Sequence, residues 1–284
     1  MFLSKKDERQ DIYLRKAIRE IKTIIGDMTG SANDISKLSP EAKGWRDTYG
    51  LLACILHSGD TVITLNYDLF LDLALSMPKL EWDIDYGTEF LELVPDLDIM
   101  CEGVPLRYSY RPTWGIARKI ITVLKLHGAL NWAVCSSCKT MVATVLTPLS
   151  RINRYIRELQ NEPLDLRKKY LCCPDFDLKP LIVPPTWMKE YNNRYLGDIW
   201  NVAIRKLADA TIVLFLGYSF SESDYQIRYL FNRALHMRSG TPWDKVVVVN
   251  TNIDKVLPTY KRFFGKVEPF KGKVSEYLHQ IAGK

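Results

Sequence analysis

The run Thr61-Val-Ile-Thr-Leu-Asn66-Tyr67-Asp68 constrains the fold more than any other stretch of the chain. It is β-branched and apolar and stops abruptly at an Asn and an Asp. After it, Leu69, Phe70, Leu73 and Leu75 form a helix-like pattern. A buried strand that ends in polar side chains just before a helix is how open α/β sheets present groups to a ligand. The pattern returns at Thr211-Ile-Val-Leu-Phe-Leu-Gly217-Tyr218-Ser219 and at Lys245-Val-Val-Val-Val-Asn250-Thr251. Any one of these ends is accounted for by turns and helix caps, which favour the same residues. The three together predict one ligand crevice at the carboxyl ends of a doubly wound, Rossmann-like parallel sheet.

Apolar residues make up 47% of the chain and charged residues 25%, the balance of a globular protein. A length of 284 residues suffices for one large α/β domain or two small ones. No apolar run approaches the roughly 20 residues of a membrane span. The start, Met1-Phe-Leu-Ser-Lys-Lys, has no apolar segment ahead of its charges, unlike a signal peptide. These features predict a soluble, cytoplasmic protein with no membrane partner. The net charge of +6 is spread over alternating acids and bases, as in Arg15-Lys16-Ala-Ile-Arg19-Glu20. No basic stripe is interleaved with aromatics, so nucleic acid is disfavoured as a partner. A modest positive balance suits an anionic dinucleotide.

Apolar spacing predicts helices at 8–26, 41–57, 193–208, 222–237 and 273–282, a charged helix at 151–160 and a further strand at 119–126. Residues 80–115 are aromatic and irregular and read as a long loop or a small helical insertion. Residues 129–183 depart from the strand–helix rhythm and read as a small inserted module within a single domain spanning 1–284. That module holds Cys135, Cys138, Cys172 and Cys173. Cys135-Ser-Ser-Cys138 is a zinc half-site, because the short loop lets two thiolates face one ion. Cys172 and Cys173 are adjacent, so in an extended strand they face opposite ways and reach one zinc together only where the backbone turns. Asp175 is an alternative oxygen ligand. Buried, reduced thiols are equally at home in an intracellular protein, so structural zinc and a metal-free relic both stay open.

Read together, these motifs carry a resemblance. Thr64-Leu65-Asn66-Tyr67-Asp68 resembles the Thr-Gln-Asn-x-Asp motif of sirtuins, and its spelling is closer still to the bacterial sirtuin-like proteins of antiphage defence. Leu126-His127-Gly128 looks like the family's His-Gly, whose His is catalytic. Gly217-Tyr218-Ser219 resembles its Gly-Thr-Ser or Gly-Tyr-Ser loop. Val249-Asn250 resembles the strand end that meets the adenosine half of NAD. The cysteines sit where sirtuins insert a zinc module, and Ile182-Val-Pro-Pro185 matches the return that follows it. Order and approximate spacing agree from about residue 60 to 255.

The resemblance implies a sirtuin-like NAD-binding protein that hydrolyses NAD to ADP-ribose and nicotinamide. Asn66 and His127 are then catalytic, and Thr64, Asp68, Gly217, Tyr218, Ser219 and Asn250 meet the dinucleotide. The chemistry is coherent. Breaking the nicotinamide–ribose bond gives an oxocarbenium-like transition state. Asn66, being uncharged, orients a water without trapping the cation. Asp68 accepts from the carboxamide, and His127 serves as general base on a ribose hydroxyl. Gly217 and Ser219 supply close approach and backbone donors. The alternatives are an inactive nucleotide-binding or protein-interaction module and an NAD-dependent protein-lysine deacylase. Expected partners beyond NAD are a second copy of the chain or a defence-system protein.

One departure bears on activity. Sirtuin-like domains open with a strand and a Gly-Ala-Gly-x-Ser loop that cradles the pyrophosphate, and no such loop precedes Asn66; Gly30-Ser31-Ala32 lacks the strand. A truncated chain, a misplaced start codon or loss of the loop each explains this. Without those backbone donors, two phosphate charges are costly to bury. The 284-residue chain is therefore expected to fold yet bind NAD poorly and not hydrolyse it, and an upstream-extended chain to gain activity.

Overall fold

The structure is a computed structural model and describes residues 40–76, 82–95, 106–109, 119–144, 173, 177–183 and 193–283. The helices expected at 8–26 and 151–160, Gly30-Ser31-Ala32, Cys172, Asp175 and Pro184-Pro185 lie outside the described residues. The chain is an α/β protein with parallel sheets, as the strand–helix rhythm predicts.

The apolar run at 61 becomes strand β1 (Thr61–Thr64), preceded by helix α1 (Pro40–Ile55) and followed by the short helix α2 (Phe70–Leu75). Strand β2 (Trp82–Asp85) comes next. Both strands pair in parallel with a central strand, β5, which spans Lys119–Lys125. Val62 lies opposite Val123, and Ile84 opposite Ile121. Ile121 and Val123 are buried with Ala53 of α1 and Leu71, Ala74 and Leu75 of α2.

A second parallel sheet is built from the later runs. Strand β9 (Ile212–Leu216) and strand β11 (Glu268–Lys271) flank strand β10 (Lys245–Asn250). The crossovers are helix α4 (Tyr225–Met237) and helix α5 (Ile253–Phe264), and helix α6 (Val274–Ala282) follows β11. Helix α3 (Arg194–Asp209) precedes β9 and starts where the Asn193 carbonyl oxygen of the side chain accepts from Tyr195 N–H, the N-cap arrangement. Among the described residues two three-stranded sheets are wholly parallel, ordered β1-β5-β2 and β11-β10-β9.

Two regions differ from the sequence reading. The stretch 80–115, expected as a loop or helical insertion, contains three strands: β2, β3 (Leu91–Pro95) and β4 (Leu106–Ser109). Each is only four or five residues long, too short for alternation to stand out. In Trp82-Asp-Ile-Asp the period is nevertheless two, and Trp82 and Ile84 pack together on the α1–α2 core. Secondly, β3 and β4 join β6 (Gly128–Cys135), β7 (Met141–Thr144) and β8 (Leu178–Ile182) in one five-stranded sheet, ordered β4-β3-β7-β6-β8. The cysteine-bearing segment thus shares its sheet with residues far upstream. The elements α5 and β11 were not expected at all. Helix α5 contains Pro258, which disguises it as loop, yet Ile253, Val256 and Tyr260 bury one face.

Candidate functional site

Three clusters gather the residues singled out by sequence. The first lies past β1. The Thr64 carbonyl accepts from Leu126 N–H at 3.1 Å, which pins the end of β1 to the end of β5. The Thr64 hydroxyl accepts from Asn66 N–H at 3.1 Å and closes a tight turn. From that turn the side chains diverge. Asn66 is exposed, and its amide donates to the Tyr49 hydroxyl of α1 at 3.2 Å. Tyr49 in turn stacks on Phe70, with centroids 5.9 Å apart. Tyr67 goes the other way. Its hydroxyl donates to the Val183 carbonyl at 2.6 Å, and its ring lies 6.2 Å from that of His127. Burial pushes the Tyr67 phenol up to about 12, so it is a hydrogen-bond donor at neutral pH.

Asp68 accepts from Phe70 N–H at 3.1 Å, at the start of α2. Burial holds its carboxyl above the usual range, against the opposing pull of Lys125. His127 sits in the turn between β5 and β6, with only 6% of its surface exposed. Its carbonyl accepts from Val183 N–H at 2.9 Å. The following Gly128 has φ +84°, and a Cβ there would lie 2.0 Å from the Leu181 carbonyl oxygen. The glycine of the His-Gly pair is therefore demanded by the close approach of β6 to β8.

The second cluster is the loop after β9. Gly217 has φ +70°, and its N–H donates to the Val249 carbonyl at 2.9 Å. The Tyr218 carbonyl accepts from the Tyr260 hydroxyl at 2.9 Å and the Asn250 amide at 3.3 Å. The Tyr218 hydroxyl donates to Asp224 at 2.5 Å, and burial together with that carboxylate pushes its phenol far up. Asn250 also accepts from Asn252 N–H at 2.8 Å, so both ends of its amide are engaged within the protein. Phe220 has φ +50° and is fully buried among Phe215, Phe231, Tyr260, Phe263 and Phe264. The Arg228 guanidinium caps it, lying 4.8 Å over the ring. Ser219 is exposed between these two anchored residues. The loop is thus anchored on both sides of Ser219.

The third cluster is sulfur. Cys135 ends β6, and the next residues turn back so that Lys139 N–H donates to the Cys135 carbonyl at 2.9 Å. The Sγ atoms of Cys135, Cys138 and Cys173 all lie within 4.8 Å of one another, with Cys135 and Cys173 at 3.6 Å. Burial raises the Cys135 thiol, but the N–H donors of Cys138, Asp177 and Ser137 more than offset this and bring it below its ordinary value. Cys173 moves upward through burial and the neighbouring sulfurs. Zn–S bonds of about 2.3 Å place tetrahedral sulfurs about 3.8 Å apart. Three thiols converging at this spacing fit a structural zinc, which Cys135, Cys138 and Cys173 would hold.

Sequence reasoning missed Tyr49, Tyr67 and Lys125. Lys125 carried a readable signal, a charged residue inside the apolar run Val123-Leu-Lys-Leu126. Tyr49 carried none, because its part depends on where α1 packs.

Fold and clusters together define an α/β protein with polar groups at the carboxyl ends of its parallel strands. No family model matches the sequence, and neither does any curated protein. Among solved structures the chain is similar to a Sir2–p53 peptide–NAD+ complex, at 16% identity, covering 84% of this chain and 68% of that one with a TM-score of 0.41. It is similar to Sir2Tm bound to a propionylated peptide, at 17% identity, 84% and 69% coverage and a TM-score of 0.41. A mutant Sir2 homologue in complex with 2'-O-acetyl ADP-ribose matches at 14% identity, 86% and 76% coverage and a TM-score of 0.40. Among the described residues no helix is long and apolar enough to cross a membrane.

Proposed function

We propose that this chain carries a sirtuin-like NAD site whose reaction, once a phosphate-cradling loop completes it, is hydrolysis of NAD to ADP-ribose and nicotinamide, in the service of antiphage defence. One observation supports this above the others. The two motifs that resemble the sirtuin catalytic pair, Thr64-x-Asn66-Tyr67-Asp68 and His127-Gly128, lie at neighbouring strand ends joined by the Thr64–Leu126 hydrogen bond and the Tyr67–His127 ring contact. In this reading water attacks the anomeric carbon as the nicotinamide bond breaks. Asn66 orients that water, the proton it sheds passes through a ribose hydroxyl to His127, and nicotinamide leaves neutral with the bonding pair. Asp68 accepts from the carboxamide, while Thr64 sets the turn. Gly217, Tyr218, Ser219 and Asn250 border the nucleotide half. The test is NAD loss followed with and without an acyl-lysine peptide. Where NAD is consumed, His127→Ala is expected to lower the rate by roughly 10²–10⁴-fold, as a lost general base does. NAD loss only with the peptide would make the chain a deacylase instead.

A second reading, a non-catalytic nucleotide-binding or interaction module, is favoured by the internal engagement of Asn66 and Asn250, whose amides bond Tyr49 and Tyr218. NAD binding in calorimetry without any NAD loss supports that reading and refutes hydrolysis.

A further inference from the structure

We propose that Lys125 is a positioning residue: its ammonium ties the Asn66–Asp68 turn to the strand end that carries His127. This deepens the reading above and rests on it for its activity measurement. Lys125 and its partner Asp72 are each 1% exposed, whereas the other Lys, Arg, Asp and Glu side chains whose burial is described are not buried. Burying such a pair costs desolvation that its own attraction does not reliably recover, and well-packed apolar residues of similar size commonly do as well or better. The strand around it, Ile121 to Leu126, is otherwise a buried apolar run but for Thr122. Stability alone therefore gives no reason for a lysine here.

The ammonium's contacts supply one. Nζ lies 2.7 Å from Asp72 Oδ2 and donates to the Asp68 carbonyl at 2.6 Å. That carbonyl stands just ahead of α2, whose first carbonyl acceptor is Leu69, taking the Leu73 N–H at 2.9 Å. It therefore belongs to the turn and not to the helix ladder. Asp72 is itself anchored, because Tyr86 donates its hydroxyl to Oδ1 at 2.5 Å, and the Tyr86 ring lies edge-on to Trp132 at 5.3 Å. The connection runs from Trp132 of β6 through Tyr86, just past β2, and Asp72 of α2 to Lys125, and from there to the backbone between Asn66 and α2. Along its own strand Lys125 is two residues ahead of His127. An ammonium with three donors fits this post, since it can bond a carboxylate and a carbonyl at once.

The double variant Lys125→Met/Asp72→Asn removes both charges, keeps the volume and keeps an acceptor for Tyr86. In the folded variant, amide hydrogen exchange over residues 64–70 is expected to rise about tenfold or more while exchange over 212–250 stays at the parent rate. The kcat for NAD loss is expected to fall about tenfold or more with KM within about threefold, the split that a misplaced catalytic group produces. Parent-like exchange over 64–70 overturns the proposal, as does a fall in kcat/KM carried by KM alone. Should the double variant not fold, Tyr86→Phe decides. It keeps the ring and deletes only the hydroxyl bond, and a rise over 64–70 is again expected, whereas a rise confined to 82–86 overturns the proposal. The exchange measurement needs no substrate. A parent that consumes no NAD, as expected of a chain without the phosphate-cradling loop, leaves exchange over 64–70 alone to judge Lys125.

Discussion

Gly128 and Gly217 both stand at strand ends with positive φ, yet for different reasons. At Gly128 a Cβ would meet the Leu181 carbonyl oxygen at 2.0 Å, whereas at Gly217 the nearest atom is a Val274 methyl at 3.7 Å. Gly128→Ala must therefore push β6 from β8 and is expected to cost about 2–4 kcal/mol, against about 1 kcal/mol for the backbone strain alone in Gly217→Ala. Denaturant melts of the two variants compare them directly, and equal losses would contradict the close-approach argument. Asp68 makes a second test. Its carboxyl is held above the usual range, chiefly by burial. Between the ordinary and the raised value the native state keeps a proton that the unfolded chain has lost, so stability falls as pH rises through that window. Asp68→Asn has no titrating group and should gain on the parent through the same window, levelling off above it. A parent–variant difference in melting temperature that is flat from acid to neutral pH would sink this.

The element that sequence read best in chemistry and least well in context is the cysteine segment. Cys135-Ser-Ser-Cys138 was legible because the spacing itself brings two thiols to one side. The arrival of Cys173 beside them, and the pairing of the segment's sheet with β3 and β4, was not, because both depend on long-range strand registers. With three sulfurs already converged, the purified chain is expected to carry about one zinc, and a chelator to lower its melting temperature, since binding energy at such a site is folding energy. Metal analysis checks occupancy. Reduced thiols without metal in a fully folded chain would favour the metal-free relic.

The whole molecule couples its two parallel sheets through one core. Leu124 and Leu126, from the β5 side, share a buried cluster with Val213 and Phe215 of β9, Val246 and Val248 of β10, and Ile199 and Ala203 of α3. Trp200 of α3 also donates its indole N–H to the Leu126 carbonyl at 3.0 Å. Neither sheet can lose its packing without exposing the other's, so unfolding is expected as a single transition, with tryptophan fluorescence and far-ultraviolet circular dichroism coinciding. Two separated midpoints would show the halves to be independent.

The class of fold and the positions of β1, β5, β9 and β10 follow from sequence alone, because β-branched runs such as Val246–Val249 have few other ways to bury themselves. The motif residues are legible for the same reason, since each interrupts such a run. What they do with their side chains was decided only by tertiary structure. Asn250, an Asn at a strand end, spends its amide on the Tyr218 carbonyl and the Asn252 N–H. Asn66 turns to Tyr49, while its neighbour Tyr67 reaches His127. Lys125, a charge inside an apolar strand, finds a buried carboxylate on a different element. A hydrogen bond or ion pair is settled by ångström distances between residues far apart in the chain, and local pattern holds no record of those distances.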